Sequence, residues 1–492
     1  MALPGQLGLP LPQVSTANSP LPSPRPSSGI VVFSGGSAAN SLVDVFERVR
    51  EANGSTLSYV LPISDNGGSS SEIIRVFGGP GIGDVRSRLV RLIPDNVEKP
   101  ETAALKALFN HRLPASYPKA RAEWFDIVDG THALWDHVSS PRRELIRSIL
   151  NTFNLEVVKR MRPSSRFDFS RASIGNLFLT GARLFSGSFE AAILLLSSIC
   201  AIPDGVAVIP ALNGNFAHHI AAGLADGSVI TGQNDISHPS APTAAVPGTG
   251  AAVGSAGHDT EEHDKIEDAN LPGTLPALRR PAIDFSKHQE EELPARIDRI
   301  WYINPYGQEI RIPANPRVMD AIESADTIVY SIGSLFTSLM PNLVLKGVGQ
   351  RIAGPLIRNK ILILNATNDR ETGPSANAFS ALDFVAAIAH ACAYSRGILP
   401  VCQEEYALYV THVIHLDGPA APKLDKTRFS QLGIETTRLY GPRGSNGNRG
   451  CYDMTALAQT LESIVGRKNV CTDRSRRNTL TAKMEARSGG SK

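Results

Sequence analysis

The sequence lacks many of the features that would identify its class directly. Its five cysteines are scattered and odd in number, and none stands in a CxxC pair or a Cys/His zinc spacing. No segment offers about 18 uninterrupted apolar residues, and the first residues lack the pattern of a secretory signal. Lysine plus arginine (49) nearly balances aspartate plus glutamate (47), so no global field attracts nucleic acid or an anionic membrane. We therefore expect a soluble, cytoplasmic protein without structural zinc and without nucleic-acid or membrane partners.

Several well-known catalytic motifs are also missing. The chain has no complete GxGxxG fingerprint, no Walker A motif in a strand-loop-helix setting, and no GxSxG, HExxH or DFG-type set. The pair His218-His219 is expected to be structural and not catalytic. Neither a standard NAD-binding enzyme nor a P-loop ATPase is supported, so any anion site must be a local feature.

The composition is that of a globular chain interrupted by polar segments. Hydrophobic residues make up 42% and charged residues 20% of the 492 residues, which is enough for a sizeable core. Residues 1–28 are rich in Pro and Ser and nearly uncharged, which predicts a disordered leader. Residues 237–293 predict a disordered insertion, whose histidines and acids we interpret as a solvated loop and not a metal site. Residues 467–492 form a basic, polar tail.

Between these segments, buried strands alternate with amphipathic helices. This alternation predicts an α/β fold with a Rossmann-like, doubly wound, mostly parallel sheet in one domain over residues 29–466. Residues 94–171 are helical in pattern and predict a helical insertion, in which Leu145, Ile149 and Phe153 mark one helix. We predict strands at residues 29–33, 57–63, 206–210, 227–231, 297–303, 327–330 and 360–364.

Three glycine- and serine-rich turns each follow a predicted parallel strand. The carboxyl ends of such strands form the ligand crevice of an open sheet, and the helix that follows each turn presents N–H groups to phosphate oxygens. Glycine permits close backbone approach. The first turn offers Gly35, Gly36 and Ser37 to a phosphate. Taken alone, this turn could equally be a tight strand-helix connection.

The second turn adds a carboxylate and hydroxyl groups. Asp65 could hold Mg²⁺, orient a ribose hydroxyl or act as a base. The alternative is that an Asp or Ser of this turn only caps a helix. The residues predicted to contact phosphate here are Asn66, Gly67, Gly68, Ser69 and Ser70.

A short Gly-Asp-Val-Arg segment and the third turn complete the predicted site. Asp84 is expected at the N-cap of a helix, and Arg86 could either bind phosphate or pair with Asp84. In the third turn, Ser334 and Thr337 would lie on one helical face, whereas a plain N-cap would explain Ser334 alone. The phosphate-binding residues predicted in this turn are Gly333, Ser334, Thr337 and Ser338.

Taken in order, these motifs resemble the CofD/YvcK-like family, which joins 2-phospho-L-lactate transferases to YvcK-type gluconeogenesis factors. The YvcK branch is the nearer one, and the likeness spans residues 29–237 and 296–390. The first turn departs from the family's Gly-Gly-Gly-Thr-Gly, and Ser331-Ile332 replaces Gly-Pro in the third. The matching segments are 65–70 (double glycine and serines), 83–86 (Gly-Asp-Val-Arg), 108–112 (Leu-Phe-x-His-Arg), 175–177 (Gly-Asn-Leu) and 326–343.

The resemblance implies a nucleotide or nucleotide-sugar ligand, with UDP-sugars expected, in a regulatory protein of carbon metabolism that could be a homo-oligomer. It adds Asn176 of the Gly-Asn-Leu segment to the predicted site. The alternative is a metal-dependent transferase that moves a phospholactyl group onto a deazaflavin. Asp65 and Asp84 would then be catalytic and hold Mg²⁺, while Arg86 neutralises the leaving diphosphate. The sequence 66–68 replaces the acidic-Leu-Trp pattern of that branch, which disfavours deazaflavin chemistry.

Overall fold

A computed structural model describes residues 29–64, 67–94, 100–161, 166–238, 274–275, 278, 291–398, 401–441 and 451–466. Strands of this part of the chain form two sheets. The strands are β1 Gly29–Phe33, β2 Thr56–Leu61, β3 Val206–Pro210, β4 His219–Leu224, β5 Val229–Thr231, β6 Ile297–Ile303, β7 Glu309–Ile310, β8 Ala325–Tyr330, β9 Asn359–Ile363, β10 His412–Leu416 and β11 Glu435–Leu439.

Helices follow most strands of the larger sheet. Short 3₁₀ turns lie at Ala38–Leu42, Ala133–Trp135, Arg370–Thr372, Ser375–Asn377 and Gln403–Leu408, and a π-helix spans Leu335–Leu339. The α-helices are α1 Val43–Asn53, α2 Ser69–Phe77, α3 Gly83–Arg91, α4 Pro100–Asn110, α5 Tyr117–Asp129, α6 Ser140–Arg160, α7 Ile174–Ser186, α8 Phe189–Ile199, α9 Gln233–Ser237, α10 Pro316–Glu323, α11 Met340–Leu343, α12 Val348–Ile352, α13 Ala381–Arg396, α14 Lys426–Gln431 and α15 Met454–Val465.

The larger sheet is parallel, with the order β11-β10-β9-β8-β1-β2-β3. All five residues of β1 are buried, because helices cover both faces of a doubly wound sheet. The chain winds outward from β1 to β3 and then returns to β8 on the other side of β1. The winding direction therefore reverses between β1 and β8, which is the point where open α/β sheets bind ligands. The predicted α/β fold is confirmed.

The smaller sheet is antiparallel, with the order β5-β4-β6-β7. The sequence analysis predicted two of these four strands, β5 and β6, but missed β4 and β7 and did not separate the pair from the parallel sheet. An Asp226-Gly227 turn joins β4 to β5, with a φ of 87° at Gly227, and this hairpin signal was overlooked. Leu275 and Leu278 pack against Trp301 of this sheet, so these described residues of the predicted 237–293 insertion contribute to a small apolar cluster.

One further prediction needs correction, and two strands of the parallel sheet were missed. Leu145 does not share the buried face of Ile149 and Phe153 on α6, because 41% of its surface is exposed. Strands β10 and β11 were not predicted, although they extend the parallel sheet beyond β9. Among the described helices, none is long and apolar enough to span a membrane.

Candidate functional site

The ends of β1, β2 and β8 open into one cleft with a volume of about 710 Å³. All three predicted turns line this cleft. Asp65 and Asn66 lie outside the described residues, so their predicted roles stay predictions. The predicted site residues that line the cleft are Gly35, Gly36, Ser37, Gly67, Gly68, Ser69, Ser70, Asp84, Arg86, Asn176, Gly333, Ser334, Thr337 and Ser338.

In the first turn, glycine is required because other elements approach the backbone closely. A Cβ atom on Gly36 would lie 2.9 Å from the Cα of Asp84, which is a backbone atom of α3. A Cβ atom on Gly35 would lie 2.5 Å from Ser338 Oγ in the third turn. Below the turn, the fully buried Arg88 donates to Ser34 Oγ (3.3 Å) and to the Gly35 carbonyl (3.2 Å). The first turn is thus held in place by both α3 and the third turn.

In the second turn, no serine side chain caps the helix that follows. Gly68 is the N-cap of α2, with a φ of 58° and no side-chain capping bond. Instead, Asn176 Nδ2 donates to Ser69 Oγ at 3.1 Å. Asn176 is itself buried near the start of α7. The helix-cap alternative therefore does not account for the described serines of this turn, and α7 holds one of them in place.

Asp84 was predicted to be the N-cap of α3, and this prediction was wrong. The N-cap is Ile82, because the helix starts at Gly83, and Asp84 lies inside the first turn. A carboxylate in the first turn of a helix is still stabilised by the helix dipole. The described hydrogen bonds of Arg86 go to amide oxygens and not to Asp84: Nε donates to Asn176 Oδ1 (3.2 Å) and Nη1 to Asn110 Oδ1 (3.3 Å).

Three arginines line the cleft: Arg86, Arg112 and Arg171. Burial lowers the pKa of the Arg86 guanidinium to about 10, with a smaller contribution from the charge of Arg112 and an opposing one from Asp84. Arg86 is therefore still a cation at neutral pH. Arg112 and Arg171 are exposed; Arg112 lies between α4 and α5, and Arg171 lies shortly before α7. This side of the cleft is electropositive.

The third turn is closed by a buried acid that the sequence analysis did not identify. Glu371 Oε2 accepts from the backbone N–H groups of Phe336 (2.8 Å) and Thr337 (3.0 Å), and the Thr337 hydroxyl donates to Oε1 (2.5 Å). Burial, with the nearby charge of Asp369, raises the pKa of Glu371 to about 8. The N–H groups at the start of the π-helix are thus already hydrogen-bonded within the protein, and Ser334 makes no capping bond.

Further cleft residues were also missed. Arg112 stood inside a motif that was recognised, but no role was given to it. Helix α9 follows β5 and ends at Ser237, the first residue of the predicted disordered insertion. Ser64 Oγ donates to Gln233 Oε1 at 3.0 Å, which connects α9 to the residues after β2. The missed lining residues with polar or charged side chains are Ser87, Arg112, Arg171, Gln233, Asn234, Ser237 and His238.

The described residues include one member of the predicted magnesium pair and both histidines of the predicted structural pair. In the described part of the chain, no group of three or more His, Cys, Asp or Glu side chains could hold a metal ion. Asp84 is the described member of the predicted Asp65–Asp84 magnesium pair, and its carboxylate lies at the cleft. Burial lowers the pKa of His218 and of His219 to about 4, so both are neutral near pH 7.

The sequence matches a known protein family over most of its length. The sequence model of the family described as "2-phospho-L-lactate transferase CofD" matches residues 30–437. The chain therefore belongs to this family, as its motifs predicted.

Two curated relatives and one solved structure are similar to this chain. It is 40% identical over 431 residues to the uncharacterized protein YNL011C of Saccharomyces cerevisiae, covering 83% of this chain and 95% of that one. It is 24% identical to a Nostoc protein named as a candidate gluconeogenesis factor, covering 82% of this chain and 61% of the relative. The fold is similar to protein BH3568 of Bacillus halodurans, a UPF0052 family member, with a TM-score of 0.53 at 17% identity over 88% of this chain and 99% of that one.

Proposed function

We propose that the cleft binds a nucleotide or nucleotide sugar of the UDP-sugar type, and that the protein acts as a regulator of carbon metabolism. The observation that carries this proposal is the convergence of three glycine-rich turns and three arginines on one cleft at the reversal point of the sheet. A diphosphate is the chemical group that fits such a cleft best, because it offers several anionic oxygens to N–H and guanidinium donors.

The charge balance of the described lining favours an anion. Arg86, Arg112 and Arg171 face a single described carboxylate, that of Asp84. Within the described chain, the Nε and Nη1 atoms of Arg86 are hydrogen-bonded to asparagine side chains, while Nη2 has no hydrogen-bond partner. Two fixed bonds pre-orient the guanidinium, so that little side-chain entropy is lost when Nη2 binds a phosphate oxygen.

The alternative is a metal-dependent transferase of phosphorus-containing groups, and the description of the matching family supports it. In that case Asp84 would hold Mg²⁺ together with Asp65, and Arg86 would neutralise the leaving diphosphate. The regulatory proposal is supported instead by the Nostoc relative named as a candidate gluconeogenesis factor. Dependence of ligand binding on Mg²⁺ separates the two.

Thermal unfolding against a ligand panel tests the proposal. The panel contains UDP-glucose, UDP-N-acetylglucosamine, GDP, GTP and NAD, each with and without Mg²⁺. A ligand at 100 times its Kd stabilises the folded state by about 2.7 kcal/mol, which is readily measured as a shift in Tm. We expect UDP-sugars to raise Tm without metal. A shift that is selective for guanosine nucleotides and needs Mg²⁺ would favour the transferase, and no shift with any compound would reject nucleotide binding.

A further inference from the structure

A second cavity of about 360 Å³ adjoins the cleft. The two share Ala38, Ile332, Gly333 and Ser334, so the turn after β8 separates them. Whereas the cleft lies over β8, β1 and β2, the second cavity extends the other way, over β1, β8 and the end of β9. A ligand that crosses the third turn could therefore occupy both cavities.

The walls of the second cavity differ from those of the cleft. Leu42, Tyr452 and Met454 line it, and no arginine or lysine does so among the described residues. The Tyr452 ring is buried and fixed, because its hydroxyl lies 2.7 Å from the Leu364 carbonyl and 3.2 Å from that of Ile414. The polar side chains of the lining include Asn365, Thr367 and the carboxylate of Asp369. A slot with these walls suits a flat heterocycle better than a phosphate, because the heterocycle packs on the apolar side chains and the carboxylate repels an anion.

The turn between the cavities is rigid. Asn365 Oδ1 accepts from the Gly333 N–H (2.9 Å), and Asn365 Nδ2 donates to the Gly333 carbonyl (2.8 Å). The φ of Gly333 is 133°, a backbone conformation that residues with a side chain rarely adopt. No Cβ atom therefore projects from the crossing point, and the distance from the arginines to the apolar slot is fixed by the fold.

We propose that the second cavity is the nucleobase subsite of the ligand whose diphosphate the cleft binds. This inference rests on the proposed function and assigns the two ends of the ligand to chemically different cavities. The electropositive cleft recognises the phosphates, while the apolar slot beside Tyr452 receives the base. Specificity for the base would then reside in the segment after β9 and at the start of α15, and not in the glycine-rich turns.

Cysteine protection tests the assignment on the unmodified protein. Cys451 is exposed and lines the second cavity, whereas Cys402 is exposed but lines neither cavity, so Cys402 is a matched control thiol. The rate at which N-ethylmaleimide alkylates each thiol is followed by peptide mass spectrometry, with UDP-glucose, GDP or inorganic pyrophosphate present. We expect the nucleotide that binds to slow alkylation of Cys451 several-fold and to leave Cys402 unchanged, while pyrophosphate protects neither.

Two results would overturn the subsite. One is a nucleotide that shifts Tm but does not protect Cys451; the other is pyrophosphate that protects Cys451 equally well. If no nucleotide shifts Tm at all, the proposed function itself has failed, and the thermal measurement shows this independently of the thiol.

A substitution that fills the slot provides a second test. Ala366 lines the second cavity and does not line the cleft, so Ala366→Phe adds a ring beside the proposed base subsite and none beside the arginines. We expect the Kd for the nucleotide to rise roughly tenfold or more, because the ring competes with the base, and the Kd for pyrophosphate to stay unchanged. Equal weakening of both ligands, or of neither, would contradict the proposal; the cysteine experiment decides the matter if this variant does not fold.

Discussion

On one side of the cleft, the second turn and α3 meet the start of α7; on the other, the third turn packs against the segment around Glu371. Both sides follow parallel strands and both are rich in glycine and serine. On the first side, Asn176 and Asn110 orient a buried arginine whose Nη2 has no partner among the described residues. On the second, a buried acid already accepts the N–H groups that a phosphate would use.

This difference shows that a glycine-serine turn at the start of a helix does not by itself define an anion site. Free N–H groups at a helix start attract anions only while no internal acceptor satisfies them. The third turn therefore shapes the cleft and separates it from the second cavity, whereas the arginine side supplies the charge. Thr337 lines the cleft, but its hydroxyl already donates to Glu371.

Replacing the buried acid should have the largest effect on stability. Glu371→Ala leaves the N–H groups of Phe336 and Thr337 without an acceptor, and two unsatisfied buried donors cost about 2–6 kcal/mol of unfolding free energy. Glu371→Gln keeps one oxygen acceptor for both N–H groups, so we expect a loss below about 1 kcal/mol. Urea unfolding of the two variants at pH 4, where the wild-type acid is mostly neutral in the folded and in the unfolded state, measures this. Equal losses would mean that the hydrogen bonds to the turn contribute little.

Removing the charge of Arg86 should have the largest effect on nucleotide binding. Arg86→Met keeps the buried aliphatic part and removes the charge, so we expect nucleotide affinity to fall about 10- to 100-fold, the equivalent of one charge-assisted hydrogen bond. Isothermal titration calorimetry with the nucleotide identified by the thermal screen measures the Kd.

Arg183→Met is the matched control. Burial lowers the pKa of Arg183 to about 10, as it does for Arg86, and Arg183 donates to the Gly78 carbonyl at 3.0 Å. Arg183 does not line the cleft. Its replacement should leave the Kd within about twofold, as expected for a site without ligand contact. If both variants lose affinity equally, the loss reflects the fold and not the cleft.

The sequence predicted the parallel sheet and the three turns because both depend on local patterns. Buried apolar strands with a following Gly/Ser turn are visible in a short window, and the carboxyl ends of parallel strands must lie at one edge of the sheet. The fold class and 14 of the predicted site residues could thus be placed at one cleft from sequence.

The remaining site residues depend on contacts between distant segments. Glu371 lies 34 residues from Thr337 and carries no motif that announces a buried acid. Gln233 reaches the cleft through a contact with Ser64, 169 residues away. The start of α3 was misplaced by two residues, because a Gly-Asp pair is as compatible with a first turn as with a cap.

The pH dependence of the unfolding free energy tests whether Glu371, the acid that accepts from the third turn, is neutral. The expected change per pH unit is the smallest of the predicted effects. Glu371 has a folded-state pKa of about 8, above its ordinary value of 4.5, because burial and Asp369 disfavour the charged form. Its stabilising contribution is complete below pH 4.5, falls by at most about 1.4 kcal/mol per unit as the pH rises toward 8, and is lost above that.

Glu371→Gln cannot titrate at this position, so the difference in unfolding free energy between wild type and this variant isolates the effect. We expect the difference, wild type minus variant, to decrease steadily from pH 5 to pH 8. A constant difference would mean that the acid is ionised throughout, and that its two N–H donors outweigh burial. The third turn would then carry a full negative charge close to the cleft and repel a diphosphate at every pH. A neutral acid, by contrast, would add no negative charge beside the cleft until the pH exceeds about 8.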